Sequence, residues 1–271
     1  MEGGGSRTEN RTLQPPSSIL HPSSLVGYFP AVLLLSSILL FAFQADTVLP
    51  RPPAELKFTG DIGYVATSGN SSVETLNVGD KFSAKVEDVT LSQTFVLIYG
   101  ESKGKSVTSL YRGSLRVDKG LKTSLITSYL LLNFERNTFA GLASRWSGVA
   151  GLSANLLREG RDRLVLEGGL SLTRQRGTAT SGRDVDFIGG RAASTYTHQF
   201  SPKASISQVV EVLPNFRESA DLRINTESTL LAPITSRVAV KLSYVIRYDG
   251  LPENSFKNTD RLFTSGIQVS L

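Results

Sequence analysis

Cysteine is absent from the 271 residues, methionine occurs once at Met1, and histidine occurs only at His21 and His198. Without cysteine there is no disulfide, no thiolate metal site and no thiol nucleophile. One histidine in the front end and one far downstream cannot anchor a zinc site. A serine hydrolase needs a base within hydrogen-bond reach of its nucleophile. His198 stands beside Gln199-Phe200-Ser201 with no partnering carboxylate in its own segment, and reads as a rim or girdle residue. No Gly-x-Gly-x-x-Gly element precedes a helix, so Gly168-Gly169 and Gly189-Gly190 mark close backbone approach rather than a phosphate loop. These absences lead to the expectation that the protein is not an enzyme and takes no cofactor.

Helical periodicity is missing too: beyond Ala54 no segment of useful length repeats every 3.6 residues. An apolar content of 40% is too low for a helical membrane protein. The net charge of +5 comes from Lys and Arg scattered along the chain, which gives nucleic-acid binding little support.

The exception is at the front. Residues 1–24 are polar and rich in Gly, Pro and Ser, the composition of a disordered segment. Leu25 to Ala45 then carries no charge and is the only run long enough to cross a bilayer as a helix. It ends in Ala42-Phe43-Gln44-Ala45, before Asp46 and a Pro-rich VLPRPP. The expectation is a signal peptide cleaved after Ala45, with a retained anchor as the alternative. The organisation expected is a leader over 1–45, a linker over 46–55 and one domain over 56–271.

In that domain a period of two recurs, in segments of about ten to fourteen residues separated by turns. The first sets Leu56, Phe58, Ile62 and Tyr64 against Lys57, Thr59 and Asp61, and turns at Ser68-Gly69-Asn70-Ser71. The sixth puts Leu142, Trp146, Ala150, Leu152 and Leu156 on the apolar side. The seventh is the cleanest: Leu164, Leu166, Gly168, Leu170 and Leu172 oppose Arg163, Glu167, Gly169, Ser171 and Thr173. The eleventh alternates from Arg237 to Asp249, and the twelfth runs to Leu271. A soluble all-β domain also alternates, but twelve such segments would all have to share one core. An even number of strands, each able to cross a ~25 Å apolar band at a tilt, fits an antiparallel transmembrane β-barrel of about twelve strands. With both ends of the domain on the periplasmic side, the two longest loops, Arg174 to Asp184 and Gly250 to Thr259, fall outside. Turns such as REGRD, FSPK and APIT fall on the periplasmic side.

Several stretches carry a resemblance. TSGNSSVETLNVG at Thr67 to Gly79, YRGSLRVD at Tyr111 to Asp118 and NFERNTFAG at Asn133 to Gly141 are joined by two more. These are VVEVLPNF at Val209 to Phe216 and LSYVIRYDGLPE at Leu242 to Glu253. In that combination and order the chain resembles the salt-induced outer-membrane protein family, YdiY-like, a domain of unknown function. The resemblance spans about Leu56 to Leu271. It implies an outer-membrane barrel with a cleaved leader and no assigned activity. Phe134 stands where the family usually has tyrosine.

Parity places Arg112, Arg116, Glu135, Arg145, Glu167, Arg191, Glu211, Arg223, Glu227, Lys241 and Arg247 in the lumen. Charges in a narrow interior must pair or face water. Two readings follow. One is a ladder of Arg–carboxylate bonds filling the barrel; the other is a cation-biased wall around a water-filled pore that favours small anions. The functional expectation is a narrow pore for small ions or solutes. Its alternative is a structural or stress-related envelope protein with an occluded lumen and partner-binding outer loops. The expected partners are outer-membrane lipid and lipopolysaccharide and the barrel-assembly machinery. A monomer in the bacterial outer membrane is expected.

Overall fold

In the computed structural model the described residues are 55–271, without 68–72, 103–104, 122–124, 138–139, 159, 179–182 and 254–255. The expected leader, its cleavage site and nearly all of the linker lie outside them. Twelve strands follow one another: β1 (Glu55–Thr67), β2 (Val73–Val86), β3 (Val89–Ser102), β4 (Lys105–Gly120), β5 (Ile126–Asn137) and β6 (Leu142–Leu157), then β7 (Asp162–Gly177), β8 (Val185–Gln199), β9 (Ser205–Pro214), β10 (Leu222–Pro233), β11 (Val238–Asp249) and β12 (Thr259–Ser270).

Each strand pairs antiparallel with its sequence neighbours, and β1 pairs with β12, so the sheet closes into the twelve-stranded barrel that the alternation predicts. The seam runs from Thr59↔Ser270 to Ile62↔Ile267 and is extended by mutual backbone hydrogen bonds of Phe58 and Leu271, at 2.9 and 3.2 Å. Closure leaves no free edge, which an open sheet of this size would have to blunt.

The two faces differ as a period of two demands. Leu130, Leu170, Leu172 and Phe263 point outward and are 63, 64, 65 and 64% exposed. A monomer in water does not carry a continuous apolar exterior of this kind. Inward, Tyr129, Leu131 and Val149 are buried together on β5 and β6, among serine, threonine and charged side chains. Direct pairing fixes one row across four ladders: Asp118↔Tyr129, Tyr129↔Gly151, Gly151↔Gly169 and Gly169↔Arg191. The two glycines leave room for the Tyr129 ring to lie along the wall. A Cβ at Gly151 would stand 2.7 Å from the Tyr129 hydroxyl.

Two residues depart from the alternation. Leu142, expected on the apolar side, lines the interior and is buried. The register shifts between Leu142 and Ser144 opposite β7, and a bulge of this kind flips the parity of what precedes it. Asp80 shares its face with Gly60 and Phe95, the outward side, and its Oδ1 has no hydrogen-bond partner. Its side chain shares a hydrogen bond with the Gln93 side chain of β3, and it also borders the cavity.

Candidate functional site: the barrel lumen

A single cavity of about 1250 Å³ runs through the interior. Its lining reaches from Lys85, Glu87 and Asp88 at the end holding the β2–β3 turn to Asp249, Pro252 and Lys257 at the opposite mouth. All eleven charged residues placed inside by parity line it: Arg112, Arg116, Glu135, Arg145, Glu167, Arg191, Glu211, Arg223, Glu227, Lys241 and Arg247. They form three groups.

The first group is a chain of ion pairs along β4, β7, β8 and β9. Glu167 lies between two guanidinium groups, with Arg116 Nη2 at 2.7 Å and Arg191 Nη1 at 2.6 Å. Arg116 also grips Asp118 through Nε and Nη2, at 2.7–3.0 Å. Arg191 Nε donates to Glu211 at 2.7 Å, and Glu211 accepts a further bond from Asn225 at 2.9 Å. Tyr129 braces both arginines: their Cζ atoms lie 4.3 Å (Arg116) and 5.7 Å (Arg191) from its ring centroid, and Arg191 donates to its hydroxyl at 3.1 Å. Planar guanidinium groups suit this mixture of carboxylate and aromatic contacts.

The second group spans the lumen near the outer mouth. Glu135 on β5 accepts from Arg112 at 3.4 Å and from Arg247 on β11 at 3.1 Å. The latter bond joins residues far apart in sequence on opposite walls. Arg145 Nε donates to Gln175 at 2.8 Å, and its nearest carboxylate is Asp249 at 3.7 Å. Gln175 donates to Glu253 at 2.9 Å, and the backbone N–H of Arg183 donates to the other oxygen of Glu253 at 2.7 Å. These bonds draw the β11–β12 loop across the mouth. Gly141, at φ +74°, receives it: a Cβ there would meet Glu253 Cβ at 2.7 Å and Phe256 Cε2 at 2.9 Å. Arg223 stands apart from all of this. It is 7% exposed, its Nε has no hydrogen-bond partner, and its nearest carboxylate, Asp221, is 3.8 Å away.

The third group is smaller. Glu227 accepts from Thr229 at 3.1 Å and from Ser243 at 3.4 Å. Lys241 reaches Asp61 at 3.0 Å, and its direct partner on β12, Gly266, offers no side chain to block the way.

The sequence reading counted seven cations and four carboxylates, all of them in strands. The structure adds Asp61, Asp249, Asp260, Glu253, Glu87 and Asp88 to the lining, most of them at the two mouths. The wall is therefore not uniformly cation-biased: acids join Lys85 and Lys257 at its ends, and arginines concentrate between them. Asp61 was visible by parity. Glu253 lies in a loop, which has no period to read.

His198 lies outside the lumen. Its Nδ1 is 2.8 Å from Asp162 Oδ1, which also accepts from Tyr196 at 2.6 Å, and its ring meets Phe200 edge-on at 5.0 Å. The partnering carboxylate that its own strand does not offer is supplied by the neighbouring one, β7. Among the described residues, no group of three or more His, Cys, Asp or Glu is arranged to hold a metal ion.

A family model described as a protein of unknown function, DUF481, matches residues 60–271. None of the curated proteins matches the chain. Solved structures similar to it include the NanC porin, 10% identical over 80% of this chain and 100% of that one, at a TM-score of 0.46. An outer membrane channel from Pseudomonas putida F1 is 11% identical over 82% and 96% of the two chains, at 0.47. The translocator domain of the autotransporter NalP from Neisseria meningitidis is 13% identical over 90% and 97%, at 0.42.

Proposed function

The chain belongs to the family described as a protein of unknown function, DUF481, and we propose that it works as an outer-membrane barrel with a narrow, water-filled passage for small ions or solutes. The observation that carries this reading is the length of the cavity, whose lining includes residues at both ends of the barrel. A barrel filled for stability alone has no need of so long a cavity. The apolar exterior supports a lipid setting, since β1 and β4 to β12 turn exposed leucine, isoleucine, valine or aromatic side chains outward. We read the chain as exported behind a cleaved signal peptide, inserted by the barrel-assembly machinery, monomeric among lipid and lipopolysaccharide, and without catalysis of its own. The finer family assignment, a salt-induced YdiY-like member, rests on the sequence resemblance and is checked by transcript level in raised sodium chloride.

The second reading is an envelope protein with an occluded lumen and partner-binding outer loops. It draws on the β11–β12 loop, which Glu253 holds across the mouth. Single-channel recording on the purified full chain in a planar bilayer separates the two. The pore reading expects discrete steps in potassium chloride that grow severalfold in Glu253→Ala, because the loop loses both of its bonds. A folded, heat-modifiable barrel that is silent in both forms removes the pore.

A further inference from the structure

We propose that Arg223, with Arg145 in its field, forms a binding site for a small oxyanion, phosphate or carboxylate, in the outer half of the passage. The proposal rests on the pore reading for its route of access, and on separate geometry for the site itself.

Arg223 lines the cavity yet is almost wholly buried, and its guanidinium makes no hydrogen bond with a described residue. The nearest carboxylate, Asp221, is 3.8 Å away, and its other oxygen is held by Asn215 at 2.9 Å. The paired arginines of the lumen are different: Arg116, Arg191 and Arg247 each have a carboxylate oxygen at 3.1 Å or closer. The Nε of Arg223 is the donor that is buried without an acceptor, and leaving such a donor unpaired is costly. Some group must complete this one.

Arg145 states the same need from the other side. Its short bond goes to the neutral oxygen of Gln175, its nearest carboxylate is at 3.7 Å, and it is the foremost like-charged neighbour of Arg223. Two guanidinium groups that line the same cavity, with their carboxylates standing off at 3.7 and 3.8 Å, leave an anion a place on this stretch of the wall. An oxyanion is the fitting class, because its two oxygens match the forked N–H pairs of arginine. The Phe187 ring, 5.4 Å from Arg223 Cζ, supports one face of the guanidinium. Asp249 and Glu253 at the mouth repel large polyanions and leave small ions as the ligand class.

The test uses the full chain in detergent and in bilayers, with chloride at constant ionic strength as the reference. Thermal unfolding of the wild type should shift upward as inorganic phosphate or acetate replaces chloride, since a ligand of the folded state stabilises it. The two arms tell which oxyanion is preferred. Arg223→Gln should lose the shift and Arg145→Gln should weaken it. In bilayers phosphate should reduce the wild-type unit current, with the half-blocking concentration at least about tenfold higher in Arg223→Gln, the scale of one charge-assisted contact. Equal shifts in wild type and Arg223→Gln, or no shift in the wild type, overturn the site. A silent barrel that phosphate still stabilises through Arg223 upholds the site and removes the pore. A conducting barrel indifferent to both anions does the reverse.

Discussion

Replacing Glu167 with glutamine removes one charge from the middle of the ion-pair chain while keeping its shape. Glu167 is enclosed, its side chain 11% exposed, and it accepts from Arg191 at 2.6 Å and Arg116 at 2.7 Å. Breaking a buried pair by deleting one partner costs about 3–5 kcal/mol, because the remaining charge is left uncompensated. Here the remainder is cushioned, since Arg116 keeps Asp118 and Arg191 keeps Glu211. The expected loss is therefore at the lower end, about 3 kcal/mol. Urea unfolding of the detergent-solubilised barrel, followed by the fluorescence of the single tryptophan, Trp146, reads it. With a slope of about 3 kcal/mol/M, the midpoint falls by about 1 M. A midpoint within about 0.2 M of wild type would refute the claim that this chain of pairs braces the wall. The same assay separates Arg223, whose guanidinium has no tight partner to lose. In chloride Arg223→Gln should cost less than Glu167→Gln, because Asp221 stands 3.8 Å off and keeps its bond from Asn215.

Two further outcomes follow from the walls themselves. Gly151→Ala places a Cβ 2.7 Å from the Tyr129 hydroxyl and crowds the β7 backbone as well, so it should cost about 1–3 kcal/mol in the same unfolding assay; an unchanged midpoint would show that Tyr129 does not rest on the glycine pair. Leu170→Arg puts a charge on the outward face at mid-strand, where the leucine is 64% exposed. A water-facing position would tolerate it, whereas a lipid-facing one loses about 2–4 kcal/mol when the barrel is refolded into vesicles, and equal stability of the two proteins in vesicles would end the membrane reading.

The barrel was legible because lipid and lumen ask for opposite side chains at every second residue, and β7 shows this from Leu164 to Leu172 with Val165 as its one apolar residue on the lumen side. What parity supplies is a side of the wall and no more. It puts Glu135 and Arg247 inside, but it cannot say that they meet, because their contact depends on closing the sheet between β1 and β12. It misplaces Leu142, because a bulge shifts the count by one residue. It puts Asp221 on the side of Arg223 but cannot give the 3.8 Å between them. It is silent on Glu253, whose loop has no period and which ties down the segment that narrows the mouth.

Pairing and passage are compatible because the lumen divides its work between two walls. From β4 to β9 the inward side chains are locked to one another through Arg116, Glu167, Arg191 and Glu211, with Tyr129 packed beneath the arginines. Opposite them, apart from the Asp61–Lys241 pair, β1 to β3 contribute Thr59, Ser92 and Thr94 and the exposed Lys81 and Lys85 to the cavity lining. Short hydroxyl side chains leave space that water can fill, and solvated lysines need no fixed partner. A lumen filled only for stability would be braced on both sides, since an unfilled polar wall adds nothing to burial. A pore with charges all round would leave each of them to be solvated by a thin file of water. One braced wall and one bare wall meet both demands, and the bare wall is where substitutions should change conductance while leaving the unfolding midpoint alone.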